Sequence, residues 1–244
     1  MTGSRKDLFS VKDEIAVHPD LPHECASAEP LPESDRETAG YYNSVAFEPG
    51  RPEANQKFRQ LTQTENARYS TAAIVTITIL SGILGGLFAV PAVFLRGHIS
   101  WIQIFMLVIF GPFAEETLKQ SGMIFLLEKR PGAVRYDWQF FLAGALGALV
   151  FASAENLLYQ TVYLANLPPA KLAMTMSFRW TGCTAMHLAC TQISALGLRR
   201  VWRNGRKKSM PTQISEAFSW FAAAMAVHGG YNLTAILWFN RYFV

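Results

Sequence analysis

"GPFAEETLKQ", residues 111–120, places Glu115, Glu116 and Lys119 inside a long apolar run. A charge at the centre of a bilayer costs at least ~2.5–3.5 kcal/mol on insertion scales, so charges kept there are paired or functional. The neighbouring sequence decides whether this run belongs in lipid. Residues 1–70 hold 12 of the 18 acidic residues, and apolar runs dominate the remaining 174 positions. Runs of about 18 or more apolar residues predict membrane-spanning helices. Five such runs are present, at roughly 72–95, 99–127, 138–164, 172–198 and 213–239. The expected fold class is all-α: a polytopic bundle of about five transmembrane helices over 71–244, leaving no room for a second globular domain.

Residues 1–70 form an acidic, Pro-rich tail with eight Lys/Arg against 12 Asp/Glu. Its first 50 residues, rich in Pro, Glu, Asp and Ser and without periodicity, cannot bury enough apolar surface to offset the entropy of ordering, so disorder is expected. A short helix is expected within 53–68, where Glu53 and Lys57 stand four apart. No signal peptide is expected ahead of the tail, and the first span is read as an uncleaved anchor. Three cysteines, Cys25, Cys183 and Cys190, make no disulfide framework.

Basic residues set the orientation. Four lie in 51–70, three in the second loop (Lys129, Arg130, Arg135) and six in "RRVWRNGRKK" (199–208), against Arg96, Lys171 and Arg241 on the other side. Cytoplasmic loops accumulate Lys and Arg, so thirteen against three puts the N-terminus in the cytoplasm and the C-terminus outside. The run at 199–208 is accordingly read as a topology signal and not as a nucleic-acid patch.

Within the spans, polar residues recur at one-turn spacing. Gly111-Pro112 predicts a kink or break in the second span. A helix restarting at Pro112 would carry Glu115 and Glu116 in its first turn, where the helix dipole favours their ionised form. Lys119 is spaced to pair with either. "FASAENLLY" aligns Phe151, Glu155 and Tyr159; "HLACT" aligns His187 and Thr191; "HGGYN" aligns His228 and Asn232. Counted from the cytoplasmic end of each span, Glu115, Glu155, His187 and His228 lie roughly 16–27 Å deep in a core of about 30 Å. All four therefore reach the middle of the membrane, where ionisable groups need a bundle interior or a wet cavity.

These residue types admit two schemes for peptide hydrolysis. In one, a carboxylate takes a proton from water, a neighbouring acid returns it to the leaving amine, and the histidines or Asn232 donate to the oxyanion. In the other, Glu155, His187 and His228 hold zinc with an open position while the paired glutamates act as base. Cys183 and Cys190, which share a helix face with His187, are read as small packing residues. Arg179, in "SFRW", lies near the outer interface, placed to snorkel or to contact substrate. The small residues Ser81, Gly82, Gly85 and Gly86 of the first span predict close helix packing.

Taken in order, "EETLK", "FASAENLLY", "HLACT" and "HGGYN" resemble the EExxK, FxxxExxxY, HxxxT and HxxxN pattern of the PrsW family of intramembrane proteases, over about 99–239. More distantly the chain is similar to the CAAX prenyl endoprotease superfamily and to the scaffold subunit of gamma-secretase. The resemblance implies cleavage of membrane-anchored protein substrates, such as a single-span anti-sigma-factor-like protein. It makes Glu115 and Glu116 the water-activating pair, has Glu155, His187 and His228 complete the site with Asn232 in support, and has Lys119 balance the charge. Two other classes remain open. A non-catalytic scaffold of the same superfamily would tolerate loss of site residues, yet no expected position is replaced. A proton or ion carrier would commonly show an inverted repeat, and none is evident.

A reporter fused after residue 205 should report cytoplasm and one after Val244 the outside; the reverse result for both fusions would overturn the orientation.

Overall fold

The computed structural model describes residues 56, 69–94, 100–208, 210 and 212–242. The expectations for the tail lie almost wholly outside these residues. Among the described residues all regular structure is helical, as expected, with α1 (Thr71–Ala89), α2 (Ser100–Phe105), α3 (Gly111–Lys119), α4 (Ser121–Lys129), α5 (Trp138–Leu158), α6 (Pro169–Phe178), α7 (Thr184–Lys208) and α8 (Phe218–Tyr242). Short 3-10 turns extend α1 to Phe94 and lead into α8 from Ile214, and π turns at Met106–Phe110, Tyr159–Tyr163 and Arg179–Cys183 join or extend the others. The result is five rods that follow the five apolar runs.

Two rods, Thr71–Phe94 and Trp138–Tyr163, are long and apolar enough to cross a membrane. The others are diluted by what they carry. The second is bent at Gln120 between α3 and α4, the fourth ends in six basic residues, and the fifth contains "HGGYN". All five nevertheless expose large apolar side chains, among them Phe88, Phe105, Leu157, Met174 and Leu237. Apolar surface this widespread has no solvent partner in water and fits a lipid surround.

The small-residue face of α1 lets it wedge between two neighbours. A methyl on Gly82 would stand 2.6 Å from the Ala143 carbonyl oxygen of α5, and one on Gly86 2.6 Å from that of Gly147. On the other side, a methyl on Gly85 would overlap the Lys119 carbonyl, and one on Gly122 of α4 would overlap the Ser81 carbonyl. Backbones approach this closely only where Cβ is missing.

The end of the bundle that bears the basic residues is tightly packed. Phe140 of α5 meets Trp202 of α7 with ring centroids 5.3 Å apart, among Leu126, Leu198, Val201 and Phe221. Gln139, fully buried, accepts from the backbone N–H groups of Arg135 and Tyr136 and donates to Thr78 Oγ1 and the Ala133 carbonyl, so its burial leaves nothing unpaired. Just outside the span, Asp137 is gripped by Arg199 and Arg203, whose hydrogen bonds hold its carboxyl below the ordinary carboxylate range. At the opposite end the rods separate. Among the described residues, the backbones of α2 and α6 lie close only to their own continuations, though Phe178 of α6 stacks on Tyr231 of α8.

One local expectation is corrected. The second rod does not restart at Pro112. The Met106–Phe110 π turn runs directly into α3, with the Gly111 N–H bonded to the Met106 carbonyl. Glu115 and Glu116 consequently lie beyond the first turn, where the helix dipole no longer reaches them.

Gly122→Ala should lower stability by about 1–3 kcal/mol by forcing α4 off α1. Thermal unfolding of the purified protein in detergent measures this, and an unchanged midpoint would show that the contact is not tight.

Candidate functional site

The π turn of the second rod positions the acidic pair. Pro112 has no N–H, so the carbonyls of the preceding turn lose a helical partner. Asn232 of α8 answers one of them, its Nδ2 donating to the Leu107 carbonyl at 2.8 Å. One turn earlier on α8, Gly229 lies against the Val108 carbonyl so closely that any Cβ would overlap it. "GPFAEE" and "HGGYN" are therefore mating surfaces, and their contact brings His228 onto the acidic pair.

Glu116 is fully buried and held from three sides. Lys119 Nζ lies 2.8 Å from its Oε1, His228 Nδ1 3.0 Å from the same oxygen, and Thr191 Oγ1 donates to Oε2 at 2.9 Å. Because the carboxylate accepts, His228 donates from Nδ1, and its Nε2 faces Glu115, whose Oε2 is 3.6 Å away. Lys119 Nζ also stands 3.7 Å from Glu115 Oε2, 3.0 Å from His187 Nδ1 and 4.1 Å above the centre of the Phe151 ring. An ammonium only donates, so His187 receives it at Nδ1 and presents its Nε2 proton to Glu155 Oε2, 3.0 Å away. The two imidazoles meet edge to face, 4.9 Å between centroids.

A cavity of about 500 Å³ reaches this network from the separated end of the bundle. Glu115, Glu155 and His187 face it, as do Tyr159, Arg179 and Asn232, whereas Glu116, Lys119 and His228 are not part of its wall. The structure thus divides the acidic pair: Glu115 lines the cavity, its buried Oε2 lying near Lys119 and His228 without a hydrogen-bond partner, while Glu116 is a fixed anchor behind it.

The seven site residues read from the sequence occupy this one region. Their grouping differs from the expected ligand set. The three side chains whose ligand atoms all lie within 4.8 Å of one another are Glu115, His187 and His228, all buried. Glu155, expected in that set, instead has Oε2 held by His187 and, at 2.9 Å, by Arg179 Nη2. Asn232 supports the backbone of the second rod. Cys183 contacts the Tyr231 hydroxyl at 3.2 Å and Cys190 the Met186 sulfur, so both pack as expected. Two His and one carboxylate at the edge of a cavity suit a divalent transition metal with a position open to water, provided the metal replaces Lys119 at His187 Nδ1.

Sequence reasoning missed Gln120, which sits at the bend between α3 and α4. Its Nε2 donates to the Thr191 carbonyl and Ser194 Oγ, tying the second rod to α7 below Glu116. The available signal was its place immediately after "EETLK", one residue beyond Lys119.

Comparison with known proteins adds one positive finding. A family model described as PrsW family intramembrane metalloprotease matches residues 71–244, and so includes the first rod, which the motifs alone did not reach. No curated protein and no solved structure gives a significant match.

The two glycines of "HGGYN" should respond oppositely to alanine. Gly229→Ala should drive α8 off the second rod and displace His228, costing at least ~1–3 kcal/mol in detergent unfolding. Gly230→Ala meets open space and should be neutral or stabilising by up to ~1 kcal/mol. Equal effects from both would contradict the mating of these surfaces.

Proposed function

The chain belongs to the PrsW family of intramembrane metalloproteases, and from that premise we propose that it is an endopeptidase whose five rods all span the membrane, cleaving a membrane-anchored protein substrate near mid-bilayer. The observation that carries this is the cavity-lining Glu115 carboxylate, whose buried Oε2 has no hydrogen-bond partner, beside two imidazoles. Buried ionisable groups at that depth are retained for use, and this set matches the needs of amide hydrolysis.

Glu115, His187 and His228 would hold the metal, His187 through Nδ1 in exchange for its contact with Lys119, with zinc the choice that two imidazoles and a carboxylate favour. When bound, the metal would supply Lewis-acid polarisation of the scissile carbonyl and make a water easier to deprotonate. The chain's own groups do the rest. A carboxylate has two oxygens, so Glu115 can ligate with one and take the attacking water's proton on the other. That water's oxygen bonds to the carbonyl carbon; as the C–N bond breaks, Glu115 returns the proton to the leaving nitrogen, giving a new carboxyl and a new amine. Glu116 fixes the His228 tautomer, and Thr191 fixes Glu116. Lys119 offsets the negative charge of the pair, so that Glu115 and Glu116 can share one buried site.

Orientation follows the basic count, with the packed, basic end cytoplasmic and the cavity opening toward the other side. An anti-sigma-factor-like single-span protein is a substrate of the required kind, identifiable as a truncated protein when membrane proteomes with and without the active enzyme are compared.

Glu115→Gln should lower cleavage of that substrate ~10²–10⁴-fold while the protein stays folded. Metal analysis of purified His187→Ala and His228→Ala should show lost metal, and chelation should silence the wild type. Undiminished cleavage by Glu115→Gln would end this mechanism. Purified wild type that cleaves nothing, with variants altering only partner binding, would favour the scaffold.

A further inference from the structure

The cavity wall contains two buried polar groups that the hydrolytic scheme does not use. Thr175 is 4% exposed, and its Oγ1 has no hydrogen-bond partner in the protein. One turn later Arg179, its side chain 12% exposed, stacks its guanidinium 3.3 Å from the centre of the Tyr159 ring and sets Nη2 2.9 Å from Glu155 Oε2. Its Nε donor has no hydrogen-bond partner. Both residues line the same cavity as Glu115 and His187. Leaving a buried donor unsatisfied costs about 1–3 kcal/mol, so two on one wall mark a place where something that accepts hydrogen bonds is meant to lie.

We propose that Thr175 and Arg179 form a main-chain binding subsite, donating to backbone carbonyl oxygens of a substrate segment that lies extended in the cavity with its scissile bond toward Glu115. This rests on the peptidase reading and deepens it. Three features select backbone carbonyls over other acceptors. The positive charge of Arg179 is already met by Glu155, so a neutral acceptor fits better than a second anion. The residues are one helical turn apart, about 6 Å along the axis, close to the ~6.6–6.8 Å between alternate carbonyls on one side of an extended chain. Much of the remaining wall, including Ala92, Ile104, Leu107 and Ile236, is apolar and offers contact without direction. Stacking on Tyr159 and the contact to Glu155 hold the guanidinium in place before substrate arrives, which limits the ordering cost of binding.

The subsite also links binding to chemistry. Glu155 Oε2 touches both Arg179 and His187, so a carbonyl drawn to Arg179 lies one carboxylate away from the imidazole beside Glu115.

Cys183 lines the same cavity and provides a readout that needs no cleavage. The probe is the capped peptide acetyl-Val-Ala-Val-Ala-amide, and the measurement is its slowing of Cys183 modification by methyl methanethiosulfonate, read by mass spectrometry on the full chain in detergent. Wild type and the Glu115→Gln/Glu116→Gln double variant should both be protected. In Thr175→Val and Arg179→Met the half-protecting concentration should rise about tenfold, the loss expected for one hydrogen bond of roughly 1.4 kcal/mol. Thr175→Val keeps the side-chain shape and removes a group with no internal partner, so it should fold as wild type even if Arg179→Met does not. Unchanged protection in a folded Thr175→Val variant would overturn the subsite, as would a wild type that the peptide does not protect. Protection that weakens as expected in an enzyme that cleaves nothing would leave the subsite standing and sink the peptidase reading instead.

Discussion

The arrangement depends on neutralising two carboxylates within a few ångströms of each other in a medium that cannot solvate them. Lys119 does most of this from the same helix. Its ammonium reaches Glu116 at 2.8 Å, Glu115 at 3.7 Å and His187 at 3.0 Å, and rests on the Phe151 ring. Those contacts tie α3 to α5 and α7, and Glu116 extends the tie to α8 through His228. Breaking a buried pair by removing one partner costs about 3–5 kcal/mol. The grip of Arg199 and Arg203 on the half-exposed Asp137 belongs to a class worth about 0–1 kcal/mol. The buried network, not the basic latch at the bundle end, is what requires these particular helices to meet.

Irregular backbone is concentrated around that network. The π turns at Met106–Phe110, Tyr159–Tyr163 and Arg179–Cys183 stand next to Glu115, Glu155 and His187 in sequence. Such turns are commonly found at functional sites because they re-aim side chains and free carbonyls. Here Asn232 bonds one carbonyl of the first π turn, while Tyr159 and Arg179, the opening residues of the other two, stack on each other. The packed end of the bundle has no comparable distortion among its described residues.

Much of this was legible in the sequence because the cost of charge in lipid makes intramembrane polar residues informative. Glu155, His187 and His228 stand out against apolar runs, and their one-turn partners Tyr159, Thr191 and Asn232 fall on the same faces. Other features were hidden because they are set by how whole rods rotate against one another. Which glutamate fronts the cavity depends on the extra residue taken up by the π turn before Gly111. That Glu115 and not Glu155 joins the histidines depends on Arg179 reaching Glu155 from another rod. Gln120 is uncharged and has only its place beside "EETLK" to mark it, and Thr175 has only its burial. The role of Gly229 is likewise invisible until the freed Val108 carbonyl is seen against it.

The unequal ends of the bundle have a consequence for how such a protein can change over generations. Phe140, Trp202, Leu198 and their neighbours anchor the fold at one end, while α6 forms a cavity wall at the other with little packing against the remaining rods. On the proposed peptidase reading, substitutions along α6 would alter which polypeptide is accepted at small expense to folding. A lineage built this way can diversify its diet while its scaffold stays under strict selection, because the residues that choose and the residues that hold the molecule together are seldom the same.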